Sequence, residues 1–287
     1  MKEFNLGALK KLSKPDPTSS KEDNGKVTII GGSSLFHGAP LLALKTASRI
    51  VDMVFFTSPE PSVGKVAEKA KSQLGSFIWM PWEDREEYIR KSDAVLIGPG
   101  LMRYRSEKNH KCKERRICDQ VGEETKRITH QLLQKFPQKQ WVIDAGSLQV
   151  MEAKLIPKNA ILTPNKKEFK MLFGRQPGKA PEQAVAELAK RYQCIIVLKK
   201  VETVVSSSKE CVVVKGGNAG LTKGGTGDVL AGLAVALSAK NPPFLAACGA
   251  SFIVKKAADE LYQKVGLTYN ANDLAEKVPE VLGEYFR

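Results

Sequence analysis

The chain has 287 residues, 42% of them hydrophobic and 26% charged, with a formal net charge of +14. That length and apolar content suffice for one large α/β domain with its own core. No apolar run approaches the ~18 residues that a membrane-spanning helix needs.

The first residues, MKEFNLGALKKLSKPDP, carry neither the apolar stretch nor the cleavage pattern of an export signal, so a cytoplasmic chain without membrane contact is expected. Residues 1–25 read as an irregular, polar lead-in, and residues 26–287 as a single domain. From Val27 onward, short apolar runs alternate with helical patterns. Strands are expected at 27–31, 51–56, 93–98, 141–144, 160–163, 195–199 and 211–214. Several are apolar throughout, as strands covered on both faces are. Helices are expected at 39–50, 63–74, 120–135, 180–191, 228–239, 244–263 and 271–286. This order predicts an α/β fold with a mostly parallel central sheet flanked by helices on both faces. The polar segment 101–119 reads as a solvated loop-helix or a flap. The five cysteines, Cys112, Cys118, Cys194, Cys211 and Cys248, form no C-x-x-C pair, so a zinc site has no ligand cluster. The basic residues are not interleaved with aromatics. The positive excess therefore points to small anionic substrates rather than nucleic acid.

Ligands of open α/β sheets sit beyond the carboxyl ends of the strands, and four strand ends stand out. Gly31-Gly32 with Gly38-Ala39-Pro40 makes either a close backbone approach to a ligand or a tight turn into a helix. Gly98-Pro99-Gly100 is a rigid turn that clears space. Asp144-Ala145-Gly146-Ser147 and Thr163-Pro164-Asn165-Lys166-Lys167-Glu168 end two strands in polar groups. Asn165 and Glu168 there either touch a ligand or cap the next helix. The fourth, Lys223-Gly224-Gly225-Thr226-Gly227-Asp228, opens the small-residue helix containing AGLAVALSA. The amides of Gly225, Thr226 and Gly227 form an anion cradle at a helix N-terminus. Asp228 beside it is placed to take a hydroxyl proton while a phosphoryl group arrives, and the positive helix end is expected to hold it as a carboxylate. Neither G-x-x-x-x-G-K-S/T nor G-x-G-x-x-G is present, which argues against a P-loop and against Rossmann-type NAD binding.

In this order, GGS…GAP, DAVLIGPGL, TP-x-x-x-E, LK-x-x-x-TVV and GGTGDVLAG resemble the ADP/ATP-dependent NAD(P)H-hydrate dehydratases of the ribokinase-like superfamily, in their stand-alone form. The resemblance implies a hydro-lyase that repairs hydrated NADH or NADPH with ADP or ATP as phosphoryl donor and Mg2+. It implies Asp228 as catalytic base and Gly225, Thr226 and Gly227 around the moving phosphoryl group. Ala39, Gly100, Asn165 and Asp228 would then meet the hydrate. Lys199, Lys200, Val201, Glu202, Thr203 and Gly227 would meet the nucleotide. No residue is assigned as a metal ligand. A homo-oligomer, with a tetramer as one form, and a separate epimerase are the partners implied. The chain departs from the pattern at Asn165, where the family has histidine, at Phe36-His37 and at the acid after Asp144. Two other readings compete: a kinase of the same fold for a vitamin-precursor alcohol, and a non-catalytic nucleotide sensor.

Overall fold

The computed structural model of the chain describes residues 2–104 and 120–286. Most of the polar segment 101–119 lies outside the described residues, as do Cys112 and Cys118. The strands are β1 (Lys26–Ile30), β2 (Met53–Thr57), β3 (Ile78–Trp79), β4 (Ala94–Ile97), β5 (Gln140–Ile143), β6 (Ile161–Leu162), β7 (Ile195–Leu198), β8 (Thr203–Ser206) and β9 (Cys211–Val214). They form one sheet in the order β3-β2-β1-β4-β5-β6-β7-β8-β9. Pairing is parallel from β3 through β7 and antiparallel for β7–β8 and β8–β9. The sheet is thus mostly parallel, as the continuous apolar runs predict.

Helices α1 (Gly38–Ala47), α2 (Ser62–Ala70), α3 (Arg85–Lys91), α4 (Gln120–Lys135), α5 (Ala145–Val150), α6 (Lys166–Phe173), α7 (Pro181–Tyr192), α8 (Thr226–Ser238), α9 (Pro243–Val265) and α10 (Ala271–Phe286) complete the chain. They divide between the two sheet faces, which explains why the strands need apolar side chains on both. One core gathers Ile29, Val54, Leu96 and Val142 with α1, α8, α9 and α10. The other gathers Ile30, Val95, Ile97 and Ile143 with α4, α6 and α7. Helix α8 is buried from Val229 to Ser238. Its small residues permit this, since a methyl on Gly232 would lie 2.4 Å from the carbonyl oxygen of Ala43 in α1.

Elements absent from the sequence reading are short. They are β3, α3, α5 and the hairpin strand β8. The irregular lead-in is corrected in part. Residues Leu6–Lys11 form a 3-10 helix whose first turn is capped by the Asn5 side chain. Leu9 and Leu12, three residues apart, share one side of such a helix, and both are buried in the core. The Phe4 amide also donates to the Val213 carbonyl of β9 at 3.0 Å.

The order of strands reverses between β1 and β4. Their registers bring Ile30 opposite Ile97, so the loops opening at Gly31 and Gly98 leave the sheet side by side at its switch point.

Candidate active site

The first turn of α8 has no side-chain cap. Its N-cap is Gly225, whose φ of 94° is left-handed and suits glycine. The Thr226 hydroxyl is shared between the carbonyls of Leu221 and Lys223, and its amide points back to Lys223 at 3.4 Å. The cradle is therefore narrower than the sequence suggests. Among the described residues, the amides of Gly225 and Gly227 have no protein partner, whereas Thr226 is turned inward. The ammonium of Lys223 donates to the carbonyls of Leu267 and Tyr269 and fixes this turn from behind.

Asp228 follows in the same turn and is half-buried. Across from it stands an ion group built from three strand ends. Lys199, after β7, places its Nζ 3.0 Å from Asp144 Oδ1 and 3.7 Å from Glu168 Oε2. The Asp144 and Glu168 side chains are 2% and 7% exposed, and Lys199 is 23% exposed. Thr163 Oγ1 donates to Asp144 at 2.6 Å, and Gln149 Nε2 donates to Glu168 at 3.2 Å. A methyl on Gly227 would sit 3.3 Å from Lys199 Nζ, so the cradle and the ion group touch.

Three carboxylates share this space with one ammonium. Burial pushes the Asp228 carboxyl up to about 7; the charge of Asp144 adds to the rise, and Lys199 offsets only part of it. The expectation that the helix end keeps Asp228 ionised is thus weakened: at neutral pH the carboxyl is only partly ionised, because desolvation outweighs the helix potential here. Burial also raises Glu168, with Lys199 opposing. Burial opposes the charge on Lys199 as well, but Asp144 and Glu168 more than compensate, and its proton is held more tightly than in water.

The loops at the switch point interlock. Gly98 has a φ of 122°, and a methyl on it would fall 1.8 Å from the Asp144 carbonyl oxygen. This contact sets Asp144 against the end of β4. Gly100 lies against the Phe36 carbonyl and Pro40, which brings it beside Ala39 in the first turn of α1. Leu42 of α1 in turn packs on Gly225. Ala39, Gly100, Asp144 and the start of α8 are therefore joined by successive contacts.

On the other side of Gly227 a cavity of about 620 Å3 opens. Lys199, Lys200, Val201, Thr203, Thr226 and Gly227 line it, and Asn165, which the resemblance grouped with Ala39 and Gly100, lines it too beside Lys199. Glu202 is exposed and not part of the lining. Asn165 heads α6 in a complete capping box: its Oδ1 accepts from the amides of Lys167 and Glu168, and the Glu168 carboxylate accepts the Asn165 amide. Glu168 thus serves both the cap and the ion group, and the capping reading of this segment holds.

Sequence reasoning missed the far wall of the cavity, formed by Gly216, Gly217, Asn218, Ser251, Val254 and Lys255. The signal was present: Lys215-Gly216-Gly217-Asn218 follows β9 as Gly31-Gly32 follows β1. Lys255 gave none, because its neighbours in the chain are ordinary helix formers.

The NAD(P)H-hydrate dehydratase family profile matches residues 27–280. The bifunctional NAD(P)H-hydrate repair enzyme Nnr of Methanocaldococcus jannaschii is 36% identical over 96% of this chain and 52% of its own length. The chain spans about half the length of the curated relatives it matches in this way. The ADP-dependent (S)-NAD(P)H-hydrate dehydratase of Nitrosopumilus maritimus is 29% identical, covering 92% of this chain and 90% of its own. Among solved structures, the ADP/ATP-dependent NAD(P)H-hydrate dehydratase of Bacillus subtilis, co-crystallised with ATP and Mg2+, superposes with a TM-score of 0.77 at 21% identity. It covers 99% of this chain and 98% of its own. At that identity the likeness speaks for the fold.

Proposed function

The chain belongs to the NAD(P)H-hydrate dehydratase family, and from that premise we propose that it dehydrates hydrated NADH or NADPH at the expense of ADP or ATP. The observation that carries the reading is the position of Asp228. It stands between an uncapped helix end and the Lys199 ion group, directly after Gly227, which lines a nucleotide-sized cavity.

Water added across a nicotinamide double bond leaves a ring hydroxyl, and hydroxide is a poor leaving group. Asp228 in its ionised form takes the hydroxyl proton as the oxygen bonds to the terminal phosphorus of the nucleotide. The bond from that phosphorus to the rest of the nucleotide breaks. The amides of Gly225 and Gly227 receive the charge of the moving phosphoryl group. Phosphate then departs with the ring oxygen, a proton leaves the neighbouring carbon, and the double bond returns. The products are reduced nicotinamide, inorganic phosphate and a nucleotide shortened by one phosphate. Ala39 and Gly100 lie on the hydrate side, and Lys199, Lys200, Val201 and Thr203 on the nucleotide side.

Among the described residues no group of three acidic, histidine or cysteine side chains is spaced to hold a metal. Asp144 and Glu168 are already turned to Lys199. In this reading magnesium would arrive with the nucleotide and would neutralise part of its phosphate charge. No helix among the described residues is long and apolar enough to cross a membrane. A homo-oligomer and a separate epimerase are further parts of the reading; gel filtration tests the first.

The test incubates the chain with NADH hydrate, Mg2+ and either ADP or ATP and follows the absorbance of reduced nicotinamide. Recovery with one nucleotide is expected. No recovery with either overturns the reading, and a stable phosphorylated vitamin alcohol in parallel incubations would make the chain a kinase instead.

A further inference from the structure

The wall of the cavity holds a buried cation that the chemistry at Asp228 leaves unused. Lys255, in the second half of α9, is 5% exposed. Its Nζ donates to the carbonyl oxygens of Val201 and Gly216 at 2.5 and 2.7 Å. An ammonium carries three N–H groups, so one remains. No carboxylate pairs with it among the described residues. Asp259, one turn further along α9, is committed to the Gly217 amide and the Asn218 side chain. Burial lowers the proton affinity of Lys255, with only partial relief from Asp259. A buried charge without a counter-charge is costly, and its persistence points to something that completes it.

The cavity has the right character for that partner. Lys199, Lys200, Lys223 and Lys255 all line it, and no acidic residue does. Lys199 is turned to Asp144 and Glu168, and Lys223 to two carbonyls. Lys255 is different because its two bonds join separate loops: Val201 lies in the β7–β8 turn, and Gly216 follows β9. We propose that Lys255 is a nucleotide-binding residue, giving its third N–H to an acceptor atom of the nucleotide while its other two hold together the loops on which the nucleotide rests. The proposal depends on the reading of this cavity as the nucleotide site.

Calorimetric titration of the full chain with ADP and with adenosine, without hydrate, tests it. Lys255→Met keeps the aliphatic stem and loses the charge, and Lys255→Arg keeps the charge. The Kd for ADP is expected to rise about tenfold or more in Lys255→Met, the scale of a lost charge-assisted hydrogen bond, and to recover toward wild type in Lys255→Arg. An equal loss with adenosine assigns the contact to the nucleoside, a loss confined to ADP assigns it to the phosphates, and either supports the proposal. An unchanged Kd in folded Lys255→Met, with folding checked by thermal melting, overturns it. Should that variant fail to fold, Lys255→Gln serves the same comparison. Wild-type chain that binds neither probe would instead remove the nucleotide reading of the cavity itself.

Discussion

The ammonium of Lys199 lies 3.0 Å from the carboxylate of Asp144, although the two residues are 55 positions apart in the chain. The adjacency of β5, β6 and β7 creates this pair. It places a positive charge beside Gly227 at the cavity, and its two charges modify the shifts that burial imposes on Asp228 and Glu168.

Asp228→Asn removes the proton acceptor and keeps the shape of the helix end. Turnover is expected to fall by about 10²–10⁴, the usual worth of a positioned base. The Kd for nucleotide should stay within a few-fold of wild type. Steady-state rates and a binding titration check both halves, and undiminished turnover would remove Asp228 from the mechanism.

The same carboxyl predicts a pH profile. Asp228 works as a base only when ionised, so kcat/KM should rise with pH, with a midpoint near the value of about 7 in the free chain. Its effect on stability has the opposite slope. The folded value lies above the ordinary 3.8, so the folded chain binds the proton more tightly than the unfolded one. That contribution is fully present below pH 3.8 and is lost as pH rises through about 7. Asp228→Asn should therefore be more stable than wild type at pH 8, as urea unfolding at several pH values will show.

Lys199→Met leaves Asp144 and Glu168 buried without a cation. Breaking such a pair costs on the order of 2–4 kcal/mol at neutral pH. The loss should shrink in acid, where the Glu168 carboxyl, raised by burial, takes up a proton and needs no counter-charge. Equal losses at pH 5 and pH 8 would contradict the ion group as the cause.

Asn165→Ala removes a cap acceptor that serves two amides, with an expected loss of about 1 kcal/mol. Asn165→Asp keeps the acceptor and should stay within about 0.5 kcal/mol of wild type. It adds a negative charge to the cavity lining, so nucleotide should bind several-fold more weakly. Denaturant midpoints and nucleotide Kd separate the two effects.

How far the sequence spoke depends on the range of each signal. The parallel strands were legible because burial on both faces leaves continuous apolar runs, as in Ala94–Ile97. The start of α8 was legible because successive glycines before an acid are a local pattern. The short strand β8 was not, since its four residues sit between a lysine-rich turn and a serine run. The pairing of Lys199 with Asp144 was not legible either, because it rests on strand order rather than on spacing. Nor was the raised Asp228 carboxyl, which depends on its burial in the fold and, after that, on Asp144 arriving from another strand. Lys255 shows the same limit: a lysine in a helix reads as solvated until the two loops closing over it are seen.

The reversal of strand direction after Leu198 carries a consequence for inheritance. Every residue lining the cavity comes from position 165 or later, while the interlocked loops at Gly31, Gly98 and Gly100 come from the first 100 residues. On the proposed function, selection on the donor and selection on the molecule to be mended therefore act largely on separate stretches of the gene. The turn at 200–202 and the loop at 216–218 lie outside the parallel strands and can drift toward a different nucleotide, whereas α9 shares the core of those strands, and the two histories must agree where Asp144 meets Lys199, where Leu42 meets Gly225 and where Ala43 meets Gly232.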